Sequence, residues 1–334
     1  MKNYEQWEIT KNPPEQLDGA DLLRYCAQVG TLAPSTHNTQ PWKCTIDGES
    51  IIVGPDFSKQ LPHGDPIDRG VYISLGCFIT NMRCAAAHYG KGLEADQILK
   101  DDVLSVRFAL RELKVDEKVY FNLFTVVADR VSDKSEYSKT ALPIEVRALL
   151  EARLGDAITT IITDKSAIYE ASRQYVLSAG AMAKSKLFRK ELSGWLRHNL
   201  TRSHDGMPGF VSNLPLLISI IGPHAMPHLA AAAQLQVKKD ARKIASSPAF
   251  AVIYSQLNNP ENWLEVGELY ELIALLAVSN GLAMTPMAGM IEEPSGRAFL
   301  SQFNEELLAQ FFFRLGYSDV GIPRHTPRRA LVFP

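Results

Sequence analysis

With 334 residues, 46% of them hydrophobic and 22% charged, the chain is long enough for about two globular domains. Its 35 Lys and Arg residues against 37 Asp and Glu residues give a net charge of −2, which argues against a nucleic-acid-binding protein. The N-terminal residues lack an apolar signal-peptide core, and no apolar run reaches the roughly 18 residues of a spanning helix, so we expect a cytoplasmic protein with no membrane partner.

The four cysteines predict neither a metal site nor a redox pair. None of them forms a CxxC pair, and no histidine lies at metal-ligand spacing from them. Cys77 and Cys84 fall within an apolar helical pattern, so we expect both to be buried as small hydrophobic side chains.

The first part of the chain alternates between helical and strand patterns. The periodicity predicts a helix over 18–31, a β-hairpin over 42–56, a long helix over 65–90 and a strand over 104–113. Asp47–Gly48 is a strong turn signal for the hairpin, and Gly90 is a typical stop for the long helix. The polar stretch 114–141 is expected to cross between domains.

The second part repeats this order with a different loop content. The pattern predicts a helix, a longer helical region, a buried strand, a long helix and an aromatic strand, over 143–154, 165–197, 213–224, 262–283 and 308–318. We therefore expect an α+β fold of two related halves, each with an antiparallel-rich sheet flanked by helices, over 1–120 and 121–334. The segment 224–262 is longer than a simple connection needs.

The first polar cluster is the loop "LAPSTHNTQPW", which follows the first predicted helix. Prolines limit its backbone, and its side-chain amides can recognise a donor–acceptor edge such as that of a pyrimidine ring. A loop that caps itself through Ser35 and Asn38 is the alternative. His37 is expected to be a hydrogen-bonding loop residue and not a catalyst.

Two further clusters are basic. Arg130, Ser132 and Lys134 alternate in "RVSDK", which puts them on one side of an extended segment and suits a phosphate, unless the segment is a solvated linker. Arg328 and Arg329 close "PRHTPRR", which is either a frayed basic terminus or, because the apolar "ALVFP" follows, a docked tail.

A fourth segment, "TPMAGMIEEP", carries little bulk at Ala288 and Gly289. Glycine permits a ligand to approach the backbone closely, although a glycine in a loop is common. Asp65, Asp68 and Arg69 precede the long first-half helix, and we expect them to form its N-terminal cap and a local ion pair.

Taken in order, these four segments resemble those of the nitroreductase-like flavoproteins. The resemblance covers roughly 20–334 and rests on "APSTHNTQPW", "RVSDK", "GLAMTPMAG" and "RLGYSDVGIPRHTPRR". The order departs from the ordinary pattern, because the Ser/Asn loop precedes the phosphate motif and no second "PSxxN" follows. The chain therefore resembles the Acg-type tandem branch, in which two fused halves form a pseudo-dimer, and this implies one FMN per chain.

The resemblance also implies roles for individual residues. The flavin would be contacted by Pro34, Ser35, Thr36 and Asn38, its phosphate by Arg130, Ser132, Lys134, Arg328 and Arg329, and its ring by Pro286, Ala288 and Gly289. Arg197 is expected either near the ribityl chain or ring edge or, equally, on a helix surface. No side chain is expected to act as acid or base, because the flavin carries the chemistry.

The implied activity is hydride transfer from NAD(P)H to FMN and then to a nitro or quinone acceptor, in ping-pong fashion. The alternative is an FMN-storage protein without turnover, in which 224–262 forms a lid over the flavin. A module without flavin is a third reading. The sequence does not choose between NADH and NADPH, or between a monomeric pseudo-dimer and a homodimer.

Overall fold

The computed structural model describes residues 2–320 and 323–333. Its helices are α1 Gly19–Gly30, α2 Arg69–His88, α3 Lys118–Leu123, α4 Ile144–Leu150, α5 Lys165–Lys184, α6 Lys186–Trp195, α7 Leu216–Ala225, α8 Ala230–Ser246, α9 Pro260–Ser279, α10 Gly289–Glu292 and α11 Pro294–Ser301. Its strands are β1 Trp42–Asp47, β2 Ser50–Pro55, β3 Lys91–Lys100, β4 Val103–Glu112, β5 Arg153–Leu154, β6 Ala157–Ile162, β7 Leu196–Arg197, β8 Met207–Pro208, β9 Ala249–Ser255, β10 Ala283–Pro286 and β11 Leu308–Gly316.

Two antiparallel sheets are drawn from different parts of the chain. The first has the order β1-β2-β4-β3, and the second has the order β10-β11-β9-β6-β5. All seven residues of β9 are buried, because side chains on its two faces enter two different hydrophobic clusters. The expected α+β class, with two packed sheet-and-helix halves, is confirmed. The division at residue 120 stays a prediction.

The two long helices α2 and α9 join the halves. They cross so closely that a Cβ atom at Gly76 would lie 2.1 Å from the Leu264 carbonyl oxygen. A Cβ atom at Gly267 would lie 2.1 Å from the Ile73 carbonyl oxygen. Only glycine fits at both positions, so the sequence of each helix is adapted to the backbone of the other.

Most of the predicted elements are confirmed. Helices α1, α2, α4, α5, α6 and α9 and strands β1, β2, β4 and β11 lie within or close to the predicted ranges. Cys77 and Cys84 are buried in α2. Strands β6 and β9 were not predicted, and the stretch 114–141 is more than a polar crossing, since α3 lies within it and Leu123 and Phe124 are buried.

The predicted buried strand at 213–224 is wrong. This segment forms the helix α7, and most of its large apolar side chains are exposed. The error has a physical reason, because a short continuous apolar run has no periodicity that separates a strand from a helix.

The segment 224–262 cannot be a lid as a whole, which corrects that prediction. It contains β9, which lies between β11 and β6 in the second sheet. The preceding helix α8 packs on α5 and buries Ala233, Val237, Ala241 and Ile244. Only the portion before β9 is left as a candidate cover.

Candidate functional site

The loop between α1 and β1 has an unusual backbone. His37, Asn38 and Gln40 have φ angles of 52°, 57° and 55°, in the left-handed region that residues other than glycine seldom adopt. The Ser35 hydroxyl accepts a hydrogen bond from the Gln40 N–H at 2.9 Å, so the loop caps itself in part. Such strain persists only where surrounding contacts enforce it.

Those contacts come from the second half of the chain. The Asn38 amide donates to the carbonyl oxygens of Gly206 and Pro327, each at 3.0 Å. The Gln40 amide donates to the His204 carbonyl oxygen at 2.8 Å. Asn38 therefore does not cap its own loop, as the alternative supposed, but attaches the loop to two distant segments.

The C-terminal tail is docked on the same loop, so the alternative of a frayed terminus is wrong for the described residues. The buried Arg328 guanidinium donates to Asn38 Oδ1 at 2.7 Å and to the carbonyl oxygens of Leu32 and Ala33 at 3.3 and 3.2 Å. The Arg329 side chain donates to the Gln40 carbonyl oxygen at 3.2 Å.

Beside Arg328 lies a buried ion pair. Arg130 Nε is 2.9 Å from Glu271 Oε1, and Arg130 Nη2 donates to the Leu32 carbonyl oxygen at 3.1 Å. We call Arg130, Glu271 and Arg328 the charged cluster. It joins two guanidinium groups to one carboxyl group, so at least one positive charge is uncompensated within it.

Burial opposes each charge in this cluster. It raises the pKa of Glu271 to about 7, against the attraction of Arg130. Burial, together with repulsion from Arg130, lowers the pKa of Arg328 to about 9. The cluster is therefore a site at which an additional anion would be stabilised.

The N-terminal segment, to which the sequence gave no role, braces the tail. Trp7 Nε1 donates to the Thr326 carbonyl oxygen at 2.8 Å, and its ring stacks on His325 with centroids 4.0 Å apart. The Arg328 guanidinium lies 4.7 Å from the Trp7 ring centroid. The backbone N–H of Arg328 donates to the Asn3 carbonyl oxygen at 3.1 Å. A lone tryptophan in a polar segment was the only signal in the sequence.

Ser132 and Lys134 continue from Arg130 along β10. Ser132 forms a β-bridge with Met284, and both Ser132 and Lys134 are half-buried. The charged groups that act on Lys134 are Asp240 and Lys243 of α8 and Arg314 of β11, and burial is the main reason that its pKa is lowered.

His37 lies close enough to Lys134 to be affected by its charge. Burial first, and the Lys134 ammonium second, lower the pKa of His37 to about 4, so the imidazole stays neutral at physiological pH. The strained loop of the first half and the basic motif of the second half therefore meet at this point.

The segment from Pro286, the last residue of β10, to Gly289 is partly exposed. Pro286 is half-buried and Ala288 is exposed. Gly289 is required by packing, because a Cβ atom there would lie 2.6 Å from the Cβ of Ala179 on α5. Packing against α5 therefore explains the glycine at this position as well as the predicted approach of a ligand does.

Arg197 lies in strand β7. The alternative that it is an arginine on the surface of a helix is therefore wrong. Its guanidinium pairs with Asp205 at 2.8 Å. The carbonyl oxygen of Gly206 accepts a hydrogen bond from the Asn38 amide, and a Cβ atom at Gly206 would lie 2.9 Å from Arg197 Cγ. Arg197 thus packs on a residue that contacts the loop.

The expected ion pair at the start of α2 is absent from the described residues. Asp65 Oδ2 accepts from the Val71 N–H at 3.2 Å and so caps the helix, whereas Asp68 makes no capping hydrogen bond. The carboxyl group that acts most strongly on Arg69 is that of Glu292. Burial raises the pKa of Asp65 to about 6 and that of Glu292 to about 7.

Thr36 lies over this helix start, since a Cβ atom at Gly70 would be 2.7 Å from the Thr36 hydroxyl oxygen. The structure therefore brings the loop, the tail, the basic motif and the β10 segment around one junction between the halves. Half-buried groups at this junction, Ser35, Ser132 and Lys134, lie near a buried cluster of net positive charge.

Comparison with known proteins gives relatives along almost the whole chain. A protein named "Putative NAD(P)H nitroreductase", from two strains of Mycobacterium tuberculosis, is 22% identical over 328 residues, covering 93% of this chain and 90% of the relative. The resemblance to nitroreductase-like flavoproteins is confirmed by these relatives. No family model matches the chain.

Solved structures with weaker likeness include a nitroreductase with bound FMN from Bacteroides fragilis, at a TM-score of 0.39 and 12% identity, covering 62% of this chain and 95% of that one. Another is a nitroreductase with bound FMN from Desulfitobacterium hafniense, at a TM-score of 0.39 and 15% identity, covering 62% of this chain and 94% of that one.

Proposed function

We propose that the protein is an FMN-dependent NAD(P)H oxidoreductase of the nitroreductase type, with one FMN site at the junction between its halves. The single observation that supports this best is the attachment of the first-half loop to the second half through the charged cluster. The names of the Mycobacterium tuberculosis relatives support the same class of reaction.

The residues present fit the phosphate of FMN. The charged cluster has an excess positive charge, and Arg328 Nε is buried without a hydrogen-bond partner in the described structure. A phosphate dianion would relieve the repulsion between the two guanidinium groups, and charge-assisted hydrogen bonds to it contribute about 1.5–3 kcal/mol each.

In this proposal, side chains of the protein bind and orient the flavin. Ser132 and Lys134 supply a hydroxyl donor and a cation on the second-half side, and Ser35 and Thr36 supply hydroxyl groups on the first-half side. Arg328 acts by a second route, because it also fixes Asn38 and the carbonyl groups of Leu32 and Ala33.

When bound, FMN would accept a hydride from NAD(P)H and pass reducing equivalents to a nitro or quinone compound. His37 stays neutral beside Lys134, so the positive charge near the junction comes from Lys134 and the two arginines. Ala288 is exposed on that side and adds little bulk, which would suit the approach of a planar group.

Comparing FMN with riboflavin tests the proposed site. Calorimetric titration should give one FMN per chain, and riboflavin, which lacks the phosphate, should bind roughly a hundredfold more weakly because the charged cluster has no anion to hold. Equal affinity for the two flavins, or no binding of either, would contradict the proposal.

FMN storage without turnover is the second candidate, and one observation favours it. Asp240 and Lys243 of α8 act on Lys134, so α8 lies beside the proposed site. A helix in that position could restrict access to a bound flavin. Tight FMN binding together with resistance to both nicotinamides would support storage over turnover.

A further inference from the structure

Helix α7 packs on the protein through its smallest polar residue. Ser219 is its only buried residue, and a Cβ atom at Gly209 would lie 2.4 Å from Ser219 Cβ. The Ser219 hydroxyl also accepts from the Asn199 N–H at 3.0 Å. Helix α7 is therefore anchored through this serine and not through its large apolar side chains.

Five large apolar side chains of α7 are exposed as a result. Their exposed fractions are 40% for Leu216, 72% for Leu217, 51% for Ile218, 47% for Ile220 and 58% for Ile221. Soluble proteins seldom expose so continuous an apolar surface unless it contacts a partner or a membrane.

The sequence on both sides of this helix is strongly basic. Within 184–243 there are ten Lys and Arg residues against three Asp and Glu residues, in a chain whose net charge is −2. The exposed charged side chains of this segment are all cations: Lys184, Lys186, Lys190, Arg202, Lys238, Lys239 and Arg242.

The three acids of the segment do not offset these cations at the surface. Asp205 pairs with Arg197 at 2.8 Å, and Asp240 lies 3.7 Å from Lys243. Glu191 accepts from the His63 N–H at 2.9 Å, and all three acids are half-buried. The exposed charge of the sequence on either side of α7 is therefore positive.

Exposed apolar side chains next to a basic sequence indicate the chemistry of the partner that α7 would contact. A second copy of the same surface would bring like charges together, which opposes a symmetric dimer through α7. A nucleic acid would match the charge but not the aliphatic Leu and Ile side chains. An anionic lipid surface matches both, because apolar side chains enter the acyl boundary while Lys and Arg meet the headgroups.

We propose that α7, with its basic flanks, docks the protein on the surface of an anionic lipid bilayer. A helix of ten residues is about 15 Å long, so it would lie in the interface and not cross it. The earlier expectation of no membrane partner rested on the lack of a spanning run, which does not bear on surface docking. This proposal is independent of flavin binding.

Vesicle flotation tests the proposal with the full-length protein. The wild type should float with phosphatidylcholine vesicles that contain about one-third phosphatidylglycerol, and not with phosphatidylcholine alone. Changing Leu217→Ser and Ile221→Ser together should raise the lipid concentration for half-binding on the order of tenfold or more. The control changes two exposed leucines elsewhere, Leu99→Ser and Leu257→Ser, and should bind like the wild type.

Three results would overturn the proposal. The first is no flotation with anionic vesicles, and the second is flotation that the α7 changes leave unaltered. The third is a lipid-independent dimer, measured by light scattering, that the α7 changes dissociate, which would assign the surface to a second copy. Retained secondary structure and unfolding midpoint in the α7 variant exclude misfolding as the cause of lost binding.

Discussion

The substitution Arg328→Ala separates cofactor binding from folding stability. It removes donors to Asn38 Oδ1 and to the Ala33 carbonyl oxygen, whereas the Leu32 carbonyl oxygen keeps its bond from Arg130. Each buried acceptor left without a partner costs about 1–3 kcal/mol. These two losses destabilise the folded chain.

An opposing effect comes from the guanidinium itself. Burial, together with repulsion from Arg130, lowers its pKa to about 9, so the folded chain disfavours the charged form of Arg328. Because the substitution removes this unfavourable charge as well, we expect the free energy of unfolding without FMN to fall by less than the roughly 2–6 kcal/mol that the two unpaired acceptors would cost alone.

FMN binding has no such compensation. Without Arg328, Arg130 and Glu271 form a pair with no excess positive charge, so a phosphate loses about 1.5–3 kcal/mol of attraction. We expect the FMN dissociation constant to rise roughly ten- to a hundredfold, measured by quenching of flavin fluorescence, with urea unfolding as the stability measurement.

Arg324→Ala is the matched control, because it removes the same charge from an exposed position of the same tail. It should leave the FMN dissociation constant within about twofold of the wild type, since an exposed charge is screened. If Arg328→Ala and Arg324→Ala bind FMN equally well, the assignment of the charged cluster to the phosphate is wrong.

Three further predictions concern the helix crossing, the N-terminal brace and pH. Gly267→Ala should lower the free energy of unfolding by about 3 kcal/mol in urea because its Cβ would overlap a carbonyl group of α2, whereas Gly194→Ala, which has open space, should raise it slightly. Trp7→Ala should weaken FMN binding about three- to tenfold by loosening the tail, and an unchanged dissociation constant would rule out that brace. Burial raises the pKa of Glu292 from 4.5 to about 7, so its folded form holds the proton more tightly and the free energy of unfolding falls as pH rises through that range. Glu292→Gln should reduce this slope in urea titrations at successive pH values, and an unchanged slope would contradict the cause.

Much of the fold was accessible from the sequence because its elements have clear periodicity. Helix α9 and strand β11 follow from regular apolar spacing and from a terminating glycine, Gly281, which has a φ of 72°. Helix α7 was missed because its apolar run is continuous and so has no helical periodicity.

Part of the candidate site could likewise be predicted from the sequence, and part could not. Its polar segments were visible because Ser, Asn and Arg cluster in short stretches with restricted backbone. The partners were not visible: Glu271 lies inside an apolar helix, and Trp7 is more than 300 residues from its contact at Thr326. Such pairs depend on tertiary packing, which no local pattern in a single sequence encodes.

The measurement that tests the central claim most directly is anaerobic titration of the FMN-loaded protein with NADPH and then with NADH, followed by flavin absorbance. The proposed oxidoreductase predicts that the flavin bleaches with at least one donor. A flavin that stays yellow with both donors, yet bleaches with dithionite, would contradict turnover and favour storage behind α8.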